Sequence, residues 1–259
     1  MINKSISFAG AGRVASALCS QIYDAGYKID LIVSPGEENG RSLALSCQAS
    51  WSPVPEYPES SDIIIVSVPD HALKDVLANL RCRTDALVVH TAGSFGLEVF
   101  PASIKVKGVF YPLQTFSRER KVEFTDLPIL LESSDKQSTV ILEELASSLG
   151  GKTWFVNTDQ RIMLHLAAVF ICNFTNHMLT RGKQVAEKAG IPFEIFYPLL
   201  NETMSKAMEI GPEKAQTGPA VRNDHNTIEK HIGLLSFSPE LEKIYSEITM
   251  AIINYHYKL

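Results

Sequence analysis

Residues 6–15 read Ile6-Ser7-Phe8-Ala9-Gly10-Ala11-Gly12-Arg13-Val14-Ala15, an apolar run, a turn spaced G-x-G-x-x-A, and the start of a helical pattern. Each small residue has a task in this order. Gly10 permits a tight turn, Gly12 lets the backbone approach a pyrophosphate, and Ala15 lets the helix lie close to the strand. The free N–H groups and the macrodipole at the helix N-terminus favour negative charge there. Gly10, Ala11, Gly12, Arg13 and Val14 are therefore expected to bind the phosphates of a dinucleotide. The plain alternative is an ordinary tight turn between a strand and a helix.

Outward from this turn, short β-branched runs alternate with helical patterns, which predicts a mostly parallel sheet covered by helices. Strands are expected at 5–9, 28–33, 63–68, 87–90, 107–111, 128–131 and 153–156. Helices are expected at 13–25, 71–80 and 137–149, with Gly26 and Gly150 as C-caps. After Asn157 the strand signals stop and the rest reads as helix, starting near residues 158, 192, 224 and 239. The expected architecture is thus an α/β Rossmann domain over 1–157, followed by an all-α domain over 158–259.

Composition excludes several classes. Hydrophobic residues make up 45% and charged residues 20% of the 259 residues, as in ordinary globular chains. A net charge of -5 gives no electrostatic footprint for nucleic acid. The four cysteines (Cys19, Cys47, Cys82, Cys172) show no zinc-site or dithiol spacing, and their sparse use fits a reducing compartment. No metal is expected. Gly10, Gly12 and Arg13 interrupt any secretory signal, and the apolar run Leu164–Phe174 reads as too short and too polar for a bilayer. A cytoplasmic protein with no membrane partner is expected.

Cofactor choice depends on the end of the second strand, where an acid would bind both ribose hydroxyls of NAD. Val33 and Ser34 stand there instead. Ser34 with Arg41 is expected to take a 2′-phosphate, which favours NADP and leaves NAD as the alternative. Ligands of open α/β sheets bind beyond the carboxyl ends of the strands. That places Val68 and Pro69, His90 and Thr91, and the loop Tyr111-Pro112-Leu113-Gln114-Thr115-Phe116 near the nicotinamide. Asp70 is expected either to cap the helix beginning at His71 or to take a catalytic duty.

In the helical half, His165, Asn173, Asn176 and His177 fall in one angular sector at 100° per residue and are expected to form a polar stripe facing a cleft. Thr217-Gly218-Pro219-Ala220-Val221-Arg222-Asn223-Asp224 brings Arg222 to a helix start, a plausible carboxylate or phosphate site. Arg222 is accordingly assigned to an anionic substrate group, Asn173 to substrate orientation and His165 to proton transfer. The alternatives are a satisfied core histidine and asparagine, and a plain N-cap at Asp224.

Taken in order along the chain, Gly10–Ala15, Val68-Pro69-Asp70, His90-Thr91-Ala92-Gly93, Pro112–Phe116, His165-Leu166-Ala167-Ala168 with Asn173, and Thr217–Asp224 resemble a known group. It is a family of Rossmann-like proteins with an all-helical C-terminal domain of unknown function, similar to pyrroline-5-carboxylate reductase and the wider 6-phosphogluconate dehydrogenase-like group. The resemblance implies that the helical domain forms a homodimer and that a small-molecule substrate lies between the domains. The function expected from these residues is NADP-dependent hydride transfer to or from a small carbonyl or imine compound with an anionic group. One departure stands out: no lysine occurs between His165 and His177, where related β-hydroxyacid dehydrogenases carry a catalytic one. A non-catalytic dinucleotide sensor is the alternative function.

Overall fold

The computed structural model describes residues 4–117 and 120–257, in two compact units that divide after Asn173. The first unit contains β1 (Ser5–Ala9), α1 (Arg13–Asp24), β2 (Lys28–Val33), α2 (Glu37–Ser46), β3 (Ser50–Ser52), β4 (Ser61–Val66), α3 (Asp70–Asn79), β5 (Leu87–His90), β6 (Lys107–Pro112), β7 (Pro128–Ser133), α4 (Lys136–Ser148), β8 (Lys152–Phe155) and α5 (Thr158–Ala168). The eight strands form one sheet in the order β3-β2-β1-β4-β5-β6-β7-β8. Only β6 and β7 pair antiparallel. The chain is therefore Rossmann-like, with the turn quoted above at the sheet's centre.

Period-two alternation distributes the strand residues between two cores. Ile6, Phe8, Ile63, Ile65, Val89 and Phe110 pack on one face with Leu18, Ile22, Leu142 and Leu145. Ile64, Val66 and Val88 pack on the other with Leu73, Leu77 and Phe100. Seven strands fall where the sequence places them, β4 starting two residues earlier than expected.

The sequence reading lacks α2 and β3. Gly40 sits in the middle of α2, where it lowers helix propensity, yet a methyl there would stand 2.2 Å from Ser34 Oγ and from Trp51 Nε1. Packing demands the glycine that obscures the helix. A second correction concerns Asp70, which lies inside the first turn of α3 behind an N-cap at Pro69, with no side-chain cap. Its carboxylate instead accepts a hydrogen bond from the Ser94 hydroxyl.

Strands do end near Asn157, whose side chain and Gln160 form a capping box at the start of α5. The first compact unit nevertheless runs to Asn173, so the division lies sixteen residues beyond the expected one at Asn157 (173 against 157). A π-helical segment, Val169–Phe174, follows α5.

The second unit holds α6 (Thr175–Lys188), α7 (Tyr197–Ile210), α8 (Pro212–Ala215), α9 (His225–Leu234) and α10 (Pro239–Tyr257). Its own core is small, with Ala220, Ile228 and Ile253 buried. Large apolar side chains remain exposed, among them Met208 at 81% and Leu234 at 73%. The helical stretch Thr158–Lys188 is 31 residues long and contains an 18-residue window of mean hydropathy 1.4, no residue of which is buried. Length and composition alone would let it cross a membrane, which corrects the expectation that the apolar run is too short. That expectation counted only the uninterrupted apolar residues.

Candidate functional site

Gly10 adopts φ +108°, and its N–H donates to the Val33 carbonyl at 2.7 Å. A methyl on Gly10 would lie 2.1 Å from the Ser67 carbonyl oxygen, so the neighbouring strand ends close on the turn. Gly12, by contrast, has open space where a side chain would be. It is the N-cap of α1 but offers no side-chain cap, and no acid stands in the first turn. The leading N–H groups of α1 thus face a vacant approach with no side chain to satisfy them. These features fit a pyrophosphate.

The turn forms one end of a cleft of about 630 Å³. Gly10, Ala11, Gly12, Arg13, Val14, Ser34, Val68, Pro69 and Thr91 all line it. The Thr91 hydroxyl donates to Ser67 Oγ at 3.1 Å, tying the loops after β4 and β5 together.

His90 does not line the cleft and needs correcting. It is fully buried, stacked on Phe100 with ring centroids 5.3 Å apart. Its Nδ1 accepts the Ala92 N–H at 3.2 Å, which puts the proton on Nε2, facing the Gly96 carbonyl at 3.4 Å. Burial pushes its pKa down to about 4, with the charge of Arg161 acting the same way against the Gly96 hydrogen bond. His90 shapes the 91–96 loop from beneath.

Ser34 lines the cleft with its hydroxyl occupied. It donates to the Gly36 carbonyl at 3.0 Å and accepts from Trp51 Nε1 at 3.1 Å. Arg41 lies 4.9 Å above the Trp51 ring with its Nε 2.8 Å from Glu37. The Ser34 proton is therefore not free for a phosphate without breaking a bond to its own loop.

Beside the cleft lies a second cavity of about 520 Å³. Both are bordered by Arg13, Tyr111, Gln114, Phe116 and His165. Tyr111, from the end of β6, has its hydroxyl 2.9 Å from His165 Nδ1. Burial, and after it the charge of Asp70, push the phenol pKa up against the opposing charge of Arg161, so Tyr111 keeps its proton at neutral pH. His165 in turn is seated against Gly93, where a methyl would come within 2.6 Å of the ring. The sequence places the loop containing Tyr111 near the nicotinamide, by its position at the carboxyl end of a strand, but does not single out Tyr111 itself. Its pairing with His165, 54 residues further along the chain, is made only by the fold.

Asn173 lines the second cavity from within the π-helical segment. Such segments recur at functional sites. The π turn also changes the angular step per residue, so the expected single stripe does not continue from His165 through Asn176 and His177. His177 Nε2 accepts instead from Arg181 Nε at 2.9 Å. Arg222 is exposed in the turn before α9. Asp224 caps that helix, its carboxylate accepting from the Thr227 N–H and hydroxyl at 3.1 and 2.8 Å. Among the described residues, no cluster of three or more His, Cys, Asp and Glu side chains could hold a metal ion.

Fold and cleft together define a dinucleotide-binding oxidoreductase of the Rossmann-like class. Residues 5–93 match a family model described as NADP oxidoreductase, coenzyme F420-dependent, and residues 127–252 match Domain of unknown function (DUF2520). A solved Bacteroides fragilis protein, named as a candidate NADP oxidoreductase, is 36% identical over 97% of this chain and 98% of that one, with a TM-score of 0.90. The chain belongs to this family of NADP oxidoreductases. Two more distant structures share the fold alone. A reductive aminase from Aspergillus terreus, solved with NADPH, is 12% identical over 98% of this chain and 94% of that one (TM-score 0.74). A pyrroline-5-carboxylate reductase from Coxiella burnetii is 17% identical over 99% and 98% (TM-score 0.59). No curated protein matches the sequence.

Proposed function

We propose that the chain transfers hydride between NADP(H) and a small carbonyl or imine compound bearing an anionic group. The observation that carries this reading is the Tyr111–His165 hydrogen bond at the junction of the two cavities, one of which begins at the dinucleotide turn. The nicotinamide would supply the hydride, and the chain binds, orients and protonates. Gly10–Val14 hold the pyrophosphate on the N–H groups of α1. Val68, Pro69 and Thr91 wall the cleft further along. Tyr111 gives its phenolic proton to the reduced oxygen or nitrogen, and His165, in the tautomer with hydrogen on Nδ1, replaces it through Nδ1 as Nε2 takes a proton from solvent. Asn173 orients the substrate.

Preference for NADP is supported by the absence of an acid at the end of β2 and by the family itself. With the Ser34 proton committed, the 2′-phosphate falls to the uncapped backbone at Gly36 and to Asn39. Tighter binding of NADH than of NADPH would reverse this choice. We also propose a cytoplasmic homodimer formed through the helical domain. Its warrant is the exposed apolar surface described above.

A panel of imines, keto acids and aldehydes assayed by NADPH oxidation tests the activity. Tyr111→Phe should lower kcat by about 10²- to 10⁴-fold, the usual range for general acid catalysis, while leaving NADPH affinity unchanged. Tight NADPH binding with no turnover across the panel would favour a dinucleotide sensor, a reading supported by the lack of a lysine between His165 and His177.

A further inference from the structure

Beneath the dinucleotide turn, away from the cleft, Cys19 of α1 and Cys47 at the C-cap of α2 lie with their sulfurs 3.0 Å apart. Both are buried, 0% and 1% exposed, and all four cysteines are free thiols. Thiols this near each other in a core are more than small hydrophobes, because little movement separates them from a bond. We propose that Cys19 and Cys47 are a site of reversible oxidation, joined to a disulfide by a hydroperoxide.

The two sulfurs differ in role. The Cys19 thiol donates its hydrogen to Cys47, which lowers the Cys47 pKa to about 7 with help from Ser46 and against burial. The same hydrogen bond and burial push Cys19 up. Cys47 is then the thiolate and the attacking sulfur, since the thiolate is the nucleophile. It attacks the terminal peroxide oxygen, the O–O bond breaks, and an alkoxide (hydroxide, for hydrogen peroxide) leaves as Cys47 becomes a sulfenic acid, the alkoxide taking its proton from solvent. Cys19 next attacks that sulfur. The S–S bond forms, and the sulfenic oxygen departs as water with the Cys19 proton. Two electrons pass from the thiol pair to the peroxide, and a dithiol reverses the change.

Entry for a small oxidant is provided at the end of α2. Ser20 and Ser46, next in sequence to the two cysteines, line a groove of about 400 Å³ between α1, α2 and residues Ser117, Arg120, Lys121 and Val122. Helix ends fray, and Cys47 stands at one. The bond would staple α1, which carries the phosphate-binding turn, to α2, whose first residues follow the Ser34–Gly36 loop.

The test treats the whole native chain with stoichiometric hydrogen peroxide, blocks free thiols, and maps tryptic peptides without reduction. Peptides 14–28 and 42–74, which contain Cys19 and Cys47, should appear cross-linked to each other, and dithiothreitol should separate them. Because the bond closes a loop in the unfolded chain, the oxidised protein should melt several degrees higher. Cys47→Ser should abolish both effects, and Cys19→Ser should leave a trappable sulfenic acid at Cys47. Oxidation confined to Cys82 or Cys172, or sulfonic acid at Cys47 without a cross-link in the native chain, would overturn the proposal. None of these readouts depends on cofactor or substrate.

Discussion

At the scale of single residues, the site is governed by where side chains are forbidden. Gly10 is required by its positive φ and by the Ser67 carbonyl, and Gly93 by the His165 ring. Gly93→Ala should therefore displace His165 and part it from Tyr111, lowering kcat by roughly the general-acid factor, about 10²-fold or more, with NADPH affinity kept. Fluorescence titration beside steady-state assay separates the two quantities, and full turnover would refute the seating argument. The role of Gly10 is legible in sequence because its turn has a fixed spacing with a known chemical use. That of Gly93 is not, since its reason lies 72 residues away at His165 (165 − 93 = 72), in a contact made only by the fold. The same holds for His90, whose place at a strand end suggests a ligand contact until its burial is known.

Among the elements, the strands are the most legible, because their apolar runs answer to burial on both faces of the sheet. The exceptions have local causes: Gly40 masks α2, and β3 is only three residues long. Two predictions belong here. In the folded chain His90, at the end of β5, stays neutral down to about pH 4, whereas unfolding restores a value near 6.5. Between those values the unfolded state binds the extra proton, so this contribution is full above about 6.5 and is lost as pH falls toward 4. At about 1.4 kcal/mol per unit the loss is about 3 kcal/mol. Urea midpoints should therefore drop more for the native chain than for His90→Asn over that range, and parallel curves would refute the claim. The second concerns the seat of α5. Arg161 is fully buried, and its guanidinium donates to Glu132 of β7 and to the Phe95 carbonyl, while the Thr158 hydroxyl also donates to Glu132 at 3.0 Å. Removing one partner strands the other charge, so Arg161→Met should cost about 3–5 kcal/mol in urea unfolding. A cost below 1 kcal/mol would mean that α5 is held by other contacts.

For the whole molecule, the question is what covers the apolar helices. Ile171 is 75% exposed, Met208 81% and Leu234 73%, and the second unit has an apolar groove of about 490 Å³ walled by Met178, Val185, Leu234, Phe237 and Ile248. Monomeric soluble proteins rarely leave such surface open. Lipid is a poor cover for the 158–188 stretch, because Arg161, His165, Asn173 and Arg181 lie along it and each polar group is costly in hydrocarbon. A second copy of the chain can match apolar patches with apolar patches and leave the polar groups their partners. The composition of residues 158–188 alone does not separate these cases, since a membrane helix and a subunit interface are both apolar. Sedimentation equilibrium at micromolar concentration should then give twice the 28.6 kDa chain mass. Leu234→Glu, at an exposed position where the fold itself has little to lose, should raise the dimer Kd by at least about tenfold, the equivalent of 1.4 kcal/mol. A monomer that floats with phosphatidylcholine vesicles would show instead that the apolar face meets a membrane.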